Sequence, residues 1–489
     1  MAAEAGTVGR RVAALVLAAG RGSRFGGAKL LELLDGGSVI EHVLAAVRAS
    51  DVDRILVVLP AGPDGDRLQE AIAVYGAGSV RNRAPERGLS SSVRLGLDVL
   101  ADDGTIDAVV VLPADQPLVR PETIRAVTAV VLDGTSAPIA VARHRLDESP
   151  NPVAIHRRAL EPARTAPELA ADRGLGPFLA AHPDLVVEVP VDGANPDVDT
   201  RADLLAARWA ARVRANREQV DRVREVPDGI DFYAPVSRFF RDDPNRIGDE
   251  VLGTIAGYVR SDDVVLDVGA GAGRYALPLA KRVREVVALD PSASMLEALA
   301  ADAAAHGIGN VRTVAGRWPL SRGDWLAAAV EPDVSLVAHL GYDVEWIAPF
   351  VDELEARTTR CCLFVLLDRT PSSAASPFWP AVHGEDRIDL PALDDLVQLL
   401  RSRGAEPDVT LVDRESGAYP SFDDLRASVE RQLWVRPGSD RHERFLKELA
   451  ARAIETDAGW KLASQPARVG VVAWSPPVRP RDEAAARAA

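Results

Sequence analysis

The chain has 489 residues, 47% of them hydrophobic and 26% charged, proportions close to those of an ordinary soluble protein. That length exceeds one ordinary core and predicts two to four domains. A net charge of −15 argues against a nucleic-acid partner. No apolar run reaches the eighteen residues a membrane-crossing helix needs, so no membrane partner is expected. Met1 to Arg11 lacks an apolar signal core, which predicts a cytoplasmic location.

In chain order, the first element is the apolar run VAALVLAA (12–19), a strand that ends in a glycine-rich loop. SVIEHVLAAVRAS then has a helical pattern, with Ser38 and Glu41 spaced as a capping box. RILVVLP (54–60) and DAVVVLPAD (107–115) are further apolar runs of strand length. Continuous apolar runs between helical stretches predict buried parallel strands with helices on both faces. From Leu204 to Val226 an arginine-rich segment without turn signals reads as a long connecting helix, and PDGIDFYAP (227–235) breaks it.

A second series starts at VVLDVGAGAG (264–273) and continues through VREVVALD (283–290), DVSLVAHL (333–340) and RCCLFVLL (360–367). The only cysteines, Cys361 and Cys362, fall in that last run and read as buried strand residues. The expected fold is α/β: two tandem Rossmann-like three-layer α/β/α domains with mostly parallel sheets. The domains are placed at 1–208 and 227–489, with a helical linker at 209–226.

Three segments of the first half carry chemistry. LVLAAGRGSRFGGAKLL places Gly20, Gly22, Gly26 and Gly27 directly after a strand. Glycine lets a ligand approach main-chain N–H groups, so such a loop can cradle an anion. Arg24 and Lys29 add positive charge where triphosphate oxygens would lie. The loop has neither the GK[ST] of a Walker motif nor GxGxxG spacing. In LPADQPLV, Asp115 stands at the carboxyl end of a strand, where open α/β sheets bind ligands. NPDVDTRADL alternates Asp197 and Asp199 along an extended segment ahead of a helix.

Together LAAGxGxRxGxxK, GLSSSVRLGL, DQP and NPDVDT resemble the MobA-like nucleotidyltransferases, within them the molybdenum cofactor cytidylyltransferases of the MocA type. The resemblance covers roughly residues 11–208. It implies that the loop, with Ala18, Ala19, Gly20, Gly22, Arg24 and Lys29, holds a nucleoside triphosphate. Asp115 and one of Asp197 or Asp199 would bind Mg²⁺. Gly88, Ser90 and Ser91 would lie near nucleotide and acceptor. Ala18, Ala19 and Gly20 favour CTP over GTP, and the acceptor would be a small phosphorylated molecule such as molybdopterin. Catalysis would fall to Arg24, Lys29 and Asp115, with pyrophosphate as the leaving group. Phe25 and LELLDGGS depart from the family's usual residues.

In the second half, Asp267 precedes Gly269, Gly271 and Gly273, and Asp290 ends the next strand. This pair of motifs resembles class I S-adenosylmethionine-dependent methyltransferases over roughly 227–370. The resemblance implies that the three glycines contact methionine and ribose, Asp290 grips the ribose, and Met295 packs near the adenine. His339 and Tyr342, after the fourth strand, become candidates to face the methyl acceptor. Gly316 and Arg317 stand where the family often has an acidic residue. Two alternatives stay open: another small phosphate, such as a sugar phosphate, as nucleotidyl acceptor, and a second half that binds S-adenosylmethionine without turnover.

Overall fold

The computed structural model describes residues 10–20, 25, 28–134, 137–145, 150–170, 173–227, 241–414, 418–462 and 467–477. They form two compact units, Met1–Arg208 and Trp209–Ala489. Each is built on a mostly parallel seven-stranded sheet with flanking helices, as the apolar runs predict.

In the first unit the strands are β1 (Val12–Leu17), β2 (Arg54–Pro60), β3 (Gly78–Asn82), β4 (Ala108–Pro113), β5 (Ile139–His144), β6 (Val153–His156) and β7 (Val186–Val191). Their order across the sheet is β3-β2-β1-β4-β6-β5-β7. β1 pairs in parallel with both β2 and β4, while β6 runs antiparallel to both its neighbours. All six residues of β1 are buried, which accounts for its unbroken apolar run. Helix Leu89–Ala101 packs over this sheet, and Gly96 makes the close approach possible. A Cβ there would stand 2.2 Å from Leu15 Cδ1.

The capping box forms as read: Glu41 Oε2 accepts from Ser38 N at 2.6 Å and from Ser38 Oγ at 2.7 Å. The LELLDGGS departure makes a small hairpin, Leu33–Leu34 against Gly37–Ser38. Its two turn residues, Asp35 (φ 43°) and Gly36 (φ 86°), supply the paired positive φ of a tight hairpin.

The second unit has β8 (Val264–Val268), β9 (Glu285–Asp290), β10 (Val311–Ala315), β11 (Val334–Ala338), β12 (Cys361–Leu367), β13 (Asp408–Arg414) and β14 (Ala467–Trp474). The order is β10-β9-β8-β11-β12-β14-β13, with β14 antiparallel to both β12 and β13. All seven residues of β12 are buried, and Phe364 packs between Phe350 and Trp474. A separate apolar cluster joins helices Trp379–His383, Phe422–Glu430 and Asp440–Arg452 through Phe378, Trp379, Leu425, Phe445 and Leu449.

The arginine-rich segment is one helix, Arg201–Val223. Its stretch beyond Arg208 belongs to the packing of the second unit. There Trp209 Nε1 donates to Val344 O at 2.9 Å, Gln219 Nε2 donates to Asp386 O at 2.8 Å, and Val220 and Val223 join the apolar cluster. No helix among the described residues is long and apolar enough to cross a membrane.

Candidate functional site

In each unit the central strand has neighbours reached by crossovers in opposite directions. Such a point opens a crevice beyond the carboxyl ends of the strands, where α/β sheets take ligands. In the first unit this point lies between β1 and β4. Ala18 and Ala19 leave β1 buried, Ala18 N donates to Val58 O at 2.9 Å, and Ala114 N donates to Leu17 O at 3.0 Å. Gly20 is exposed, and a Cβ there would meet no atom of the described residues within 4 Å. Gly22 and Arg24, with Gly26 and Gly27, lie outside the described residues.

Lys29, in the short turn Lys29–Leu31, is 8% exposed. Its Nζ donates to Asp115 Oδ2 at 2.6 Å and to Asp199 Oδ1 at 3.0 Å. Burial opposes its charge, but Asp115 and then Asp199 outweigh that and hold the ammonium above its ordinary range. Asp115 is fixed by its own backbone, whose carbonyl accepts from Val198 N at 2.8 Å. Thr200 caps the following helix by exchanging bonds with Asp203, which leaves the Asp199 carboxylate for Lys29. The cap and the inward carboxylate therefore coexist on adjacent residues.

Asp197 takes a different partner: its Oδ1 accepts from Gln116 Nε2 at 2.9 Å. Gln116 Oε1 in turn accepts from Asn195 Nδ2 at 2.9 Å, and both amides are 1% exposed. Asp197 keeps an open edge to solvent but is densely surrounded. Burial first, and then the charge of Asp115, push its carboxyl up to about 6. Gln116 and Asn195 are the residues that motif reading passed over. Each sits within two residues of a chosen aspartate in a quoted segment, but an uncharged amide there carries no chemical signal of its own.

Lys29, Asp115, Asp197 and Asp199 thus meet at one place. Gly88 (φ 84°) begins the helix that carries Ser90 and Ser91. Ser90 Oγ donates to Gly174 O at 3.3 Å, and Ser91 Oγ donates to Gly88 O at 2.7 Å. Asn82 Nδ2 also donates to Ser91 Oγ at 2.9 Å. These hydroxyls hold the turn, a task the sequence did not assign them.

In the second unit the crevice opens between β8 and β11. Gly269, Gly271 and Gly273 have φ of 74°, 53° and 88°, a backbone that L side chains rarely adopt. A Cβ on Gly269 would lie 2.6 Å from Leu340 Cδ1, whereas one on Gly271 would enter open space. Asp290 braces this loop: Oδ2 accepts from Gly271 N at 2.9 Å and Oδ1 from Ser292 N at 2.8 Å. Asp267 is 2% exposed, and its buried Oδ1 has no hydrogen-bond partner among the described residues. Burial, and secondarily the charge of Asp290, push its carboxyl up to about 7.

Met295 is 3% exposed at the start of helix Ala293–Ala305. His339 leaves β11 at φ 55° with Nε2 3.4 Å from Tyr275 Oη. Tyr342 is buried, and its Oη accepts from Leu367 N at 2.7 Å, so it secures the end of β12. Arg317 is exposed.

Comparison with known proteins matches residues 14–186 to the MobA-like NTP transferase domain and residues 265–323 to a methyltransferase domain. The 2-C-methyl-D-erythritol 4-phosphate cytidylyltransferase of Frankia casuarinae is 39% identical over 134 residues, covering 27% of this chain and 48% of that protein. The bifunctional protein GlmU of Bordetella petrii is 34% identical over 113 residues, covering 23% of this chain and 24% of that protein. The chain thus spans less than half the length of these two curated relatives. A solved nucleotidyl transferase from Methanothermobacter is 25% identical, covering 41% of this chain and 97% of its own, with a TM-score of 0.34. The first matched span ends before Asp197 and Asp199, yet Lys29 within it bonds Asp199. The protein is a two-domain chain that joins a MobA-like NTP transferase domain to a methyltransferase domain.

Proposed function

We propose that the first unit is a Mg²⁺-dependent cytidylyltransferase. It transfers CMP from CTP to a small phosphorylated acceptor of the molybdopterin type and releases pyrophosphate. The observation that carries this reading is the ammonium of Lys29 seated between the carboxylates of Asp115 and Asp199 at the mouth of the crevice. A site that holds one cation between two carboxylate oxygens has the donor chemistry for Mg²⁺, which usually takes one or two carboxylates and fills the rest with phosphate oxygens and water. Asp115 and Asp199 would hold it, with Asp197 alongside, and the bound ion would supply charge neutralisation at the phosphates.

The chain's own residues do the rest. The backbone after β1 approaches the triphosphate without side-chain obstruction at Gly20. Lys29 offers positive charge to the phosphates. Gln116 and Asn195 fix the carboxylate of Asp197. No protein nucleophile is required, because an acceptor phosphate oxygen attacks the α-phosphorus directly and the protein's contribution is positioning and charge. Pyrophosphate release, measured with each of the four nucleoside triphosphates and with several phosphorylated acceptors, tests this. CTP with a phosphorylated pterin is expected to be fastest, and a preference for GTP would overturn the nucleotide assignment.

For the second unit we infer binding of S-adenosylmethionine, followed by methyl transfer to an acceptor whose identity the motifs leave open. The fit rests on two observations: the open backbone at Gly271, and the buried oxygen of Asp267 that has no hydrogen-bond partner among the described residues. The ligand would supply an electrophilic methyl carbon, and the chain would supply alignment. Asp290 would accept from ribose hydroxyls, and Met295 would pack against the base.

Asp267 gives this reading a pH signature. In the free protein its carboxyl titrates near 7, so below that pH it is largely protonated. A cationic ligand favours the ionised form, and binding then releases a proton. S-adenosylmethionine affinity should climb with pH by up to about tenfold per unit from pH 5 to 7 and level off above. Calorimetric titration across that range checks it. An Asp267→Asn variant should give a flat profile, and a flat wild-type profile would dismiss the role of Asp267.

A further inference from the structure

Lys29 makes an unusual pair of contacts for a residue assigned to phosphate. Its Nζ lies 2.6 Å from Asp115 and 3.0 Å from Asp199, the carboxylates that would hold a divalent cation. The Lys29 side chain is 10% exposed, and those of Asp115 and Asp199 are 25% and 30% exposed, so water screens the triad only partly. A dication entering beside an ammonium in that position is repelled by it, and must also share oxygens that already accept from Nζ.

We propose that Lys29 acts as an internal counter-cation that keeps divalent metal out of this site until nucleotide phosphates draw its ammonium away. This rests on the reading of the site as a metal-dependent nucleotidyltransferase centre and adds an order of events to it. Phosphate oxygens offer Lys29 an alternative anionic partner. Once it moves to them, Asp115 and Asp199 are released to the metal. Metal and nucleotide then bind with positive coupling, and by linkage each strengthens the other to the same degree. If Lys29 only recognised phosphate, removing its charge would leave the metal affinity of the nucleotide-free protein untouched. Lys29 is well suited to the exchange: it is the only lysine in the first unit, and an ammonium on a flexible stem can change partners without moving the backbone.

The test is Mn²⁺ binding to the full chain, without nucleotide, followed by electron paramagnetic resonance. Lys29→Gln and Lys29→Met both remove the charge, and methionine retains the apolar bulk of the buried stem should glutamine disturb packing. Both are expected to bind Mn²⁺ at least about tenfold more tightly than wild type. Lys29→Arg, which keeps the charge, should show no gain. Asp115→Asn should bind Mn²⁺ more weakly than wild type. Unchanged or weaker Mn²⁺ binding in the folded uncharged variants overturns the proposal. If Asp115→Asn has lost the metal in the same experiment, the metal site itself stands and only the exclusion fails. If no protein in the series binds Mn²⁺, with or without CTP, the metal-dependent reading falls as well.

Discussion

An Asp115→Asn variant should fold normally and lose pyrophosphate release by a factor on the order of 100 to 1,000, the range seen when one preorganised charge-stabilising group is removed. The fold survives because what anchors this segment is main chain. Ala114 N donates to Leu17 O and the Asp115 carbonyl accepts from Val198 N, and neither bond involves the carboxylate. The side chain is partly exposed, so asparagine opens no cavity. What changes is charge. Among the described residues the site sets three carboxylates around one ammonium. With one carboxylate gone, Lys29 keeps Asp199 as its only charged hydrogen-bond partner among the described residues, with the charge of Asp197 nearby, and the pull on a dication is reduced. Steady-state pyrophosphate assays, with thermal melting as a control for folding, check this. Turnover equal to wild type would end the assignment of Asp115 to the chemistry.

The second large effect is expected at Asp290. Replacing it by alanine takes the acceptor from two backbone donors, Gly271 N and Ser292 N, together with the partner proposed for the ribose. Hydrogen bonds to a charged group are each worth about 1.5–3 kcal/mol. The loop they brace is held at positive φ through Gly269, Gly271 and Gly273, so it loses its preorganised shape as well. Affinity for S-adenosylhomocysteine should fall by about 100-fold or more. Calorimetry with that ligand reads the effect directly. A change within threefold would overturn both the ribose role of Asp290 and the importance of its brace for the ligand.

The central strands of both sheets were legible because they are buried on both faces. Val12–Leu17, Ala108–Pro113 and Cys361–Leu367 each appear as an unbroken apolar run. Strands toward the edges escaped. Val186–Val191 is nowhere fully buried, and Val311–Ala315 carries Arg312 and Thr313 among its valines, so neither makes a run. The antiparallel insertions of Val153–His156 and Ala467–Trp474 depend on which strands they meet, information that no local pattern holds.

The site divides the same way. The capping box of Ser38 and Glu41 spans three residues and could be read directly. The bond between Lys29 and Asp199 spans 170 residues, and only the sheet brings them together. Gln116 was hidden for a different reason. An uncharged amide between an aspartate and a proline advertises no chemistry until its two hydrogen bonds, to Asn195 and Asp197, are seen.

The two cysteines adjoin in β12, inside the sheet of the second unit. Burial pushes both thiols up, Cys361 to about 11, and so keeps them in the unreactive protonated form. Both thiols are shielded while the layers packed on the sheet faces stay in place, because Cys361 is only 8% exposed and Cys362 is fully buried. The first unit contributes no thiol to the background. Rates of thiol labelling therefore report how often the second unit opens, and the chain carries its own clock for the stability of its methyltransferase half.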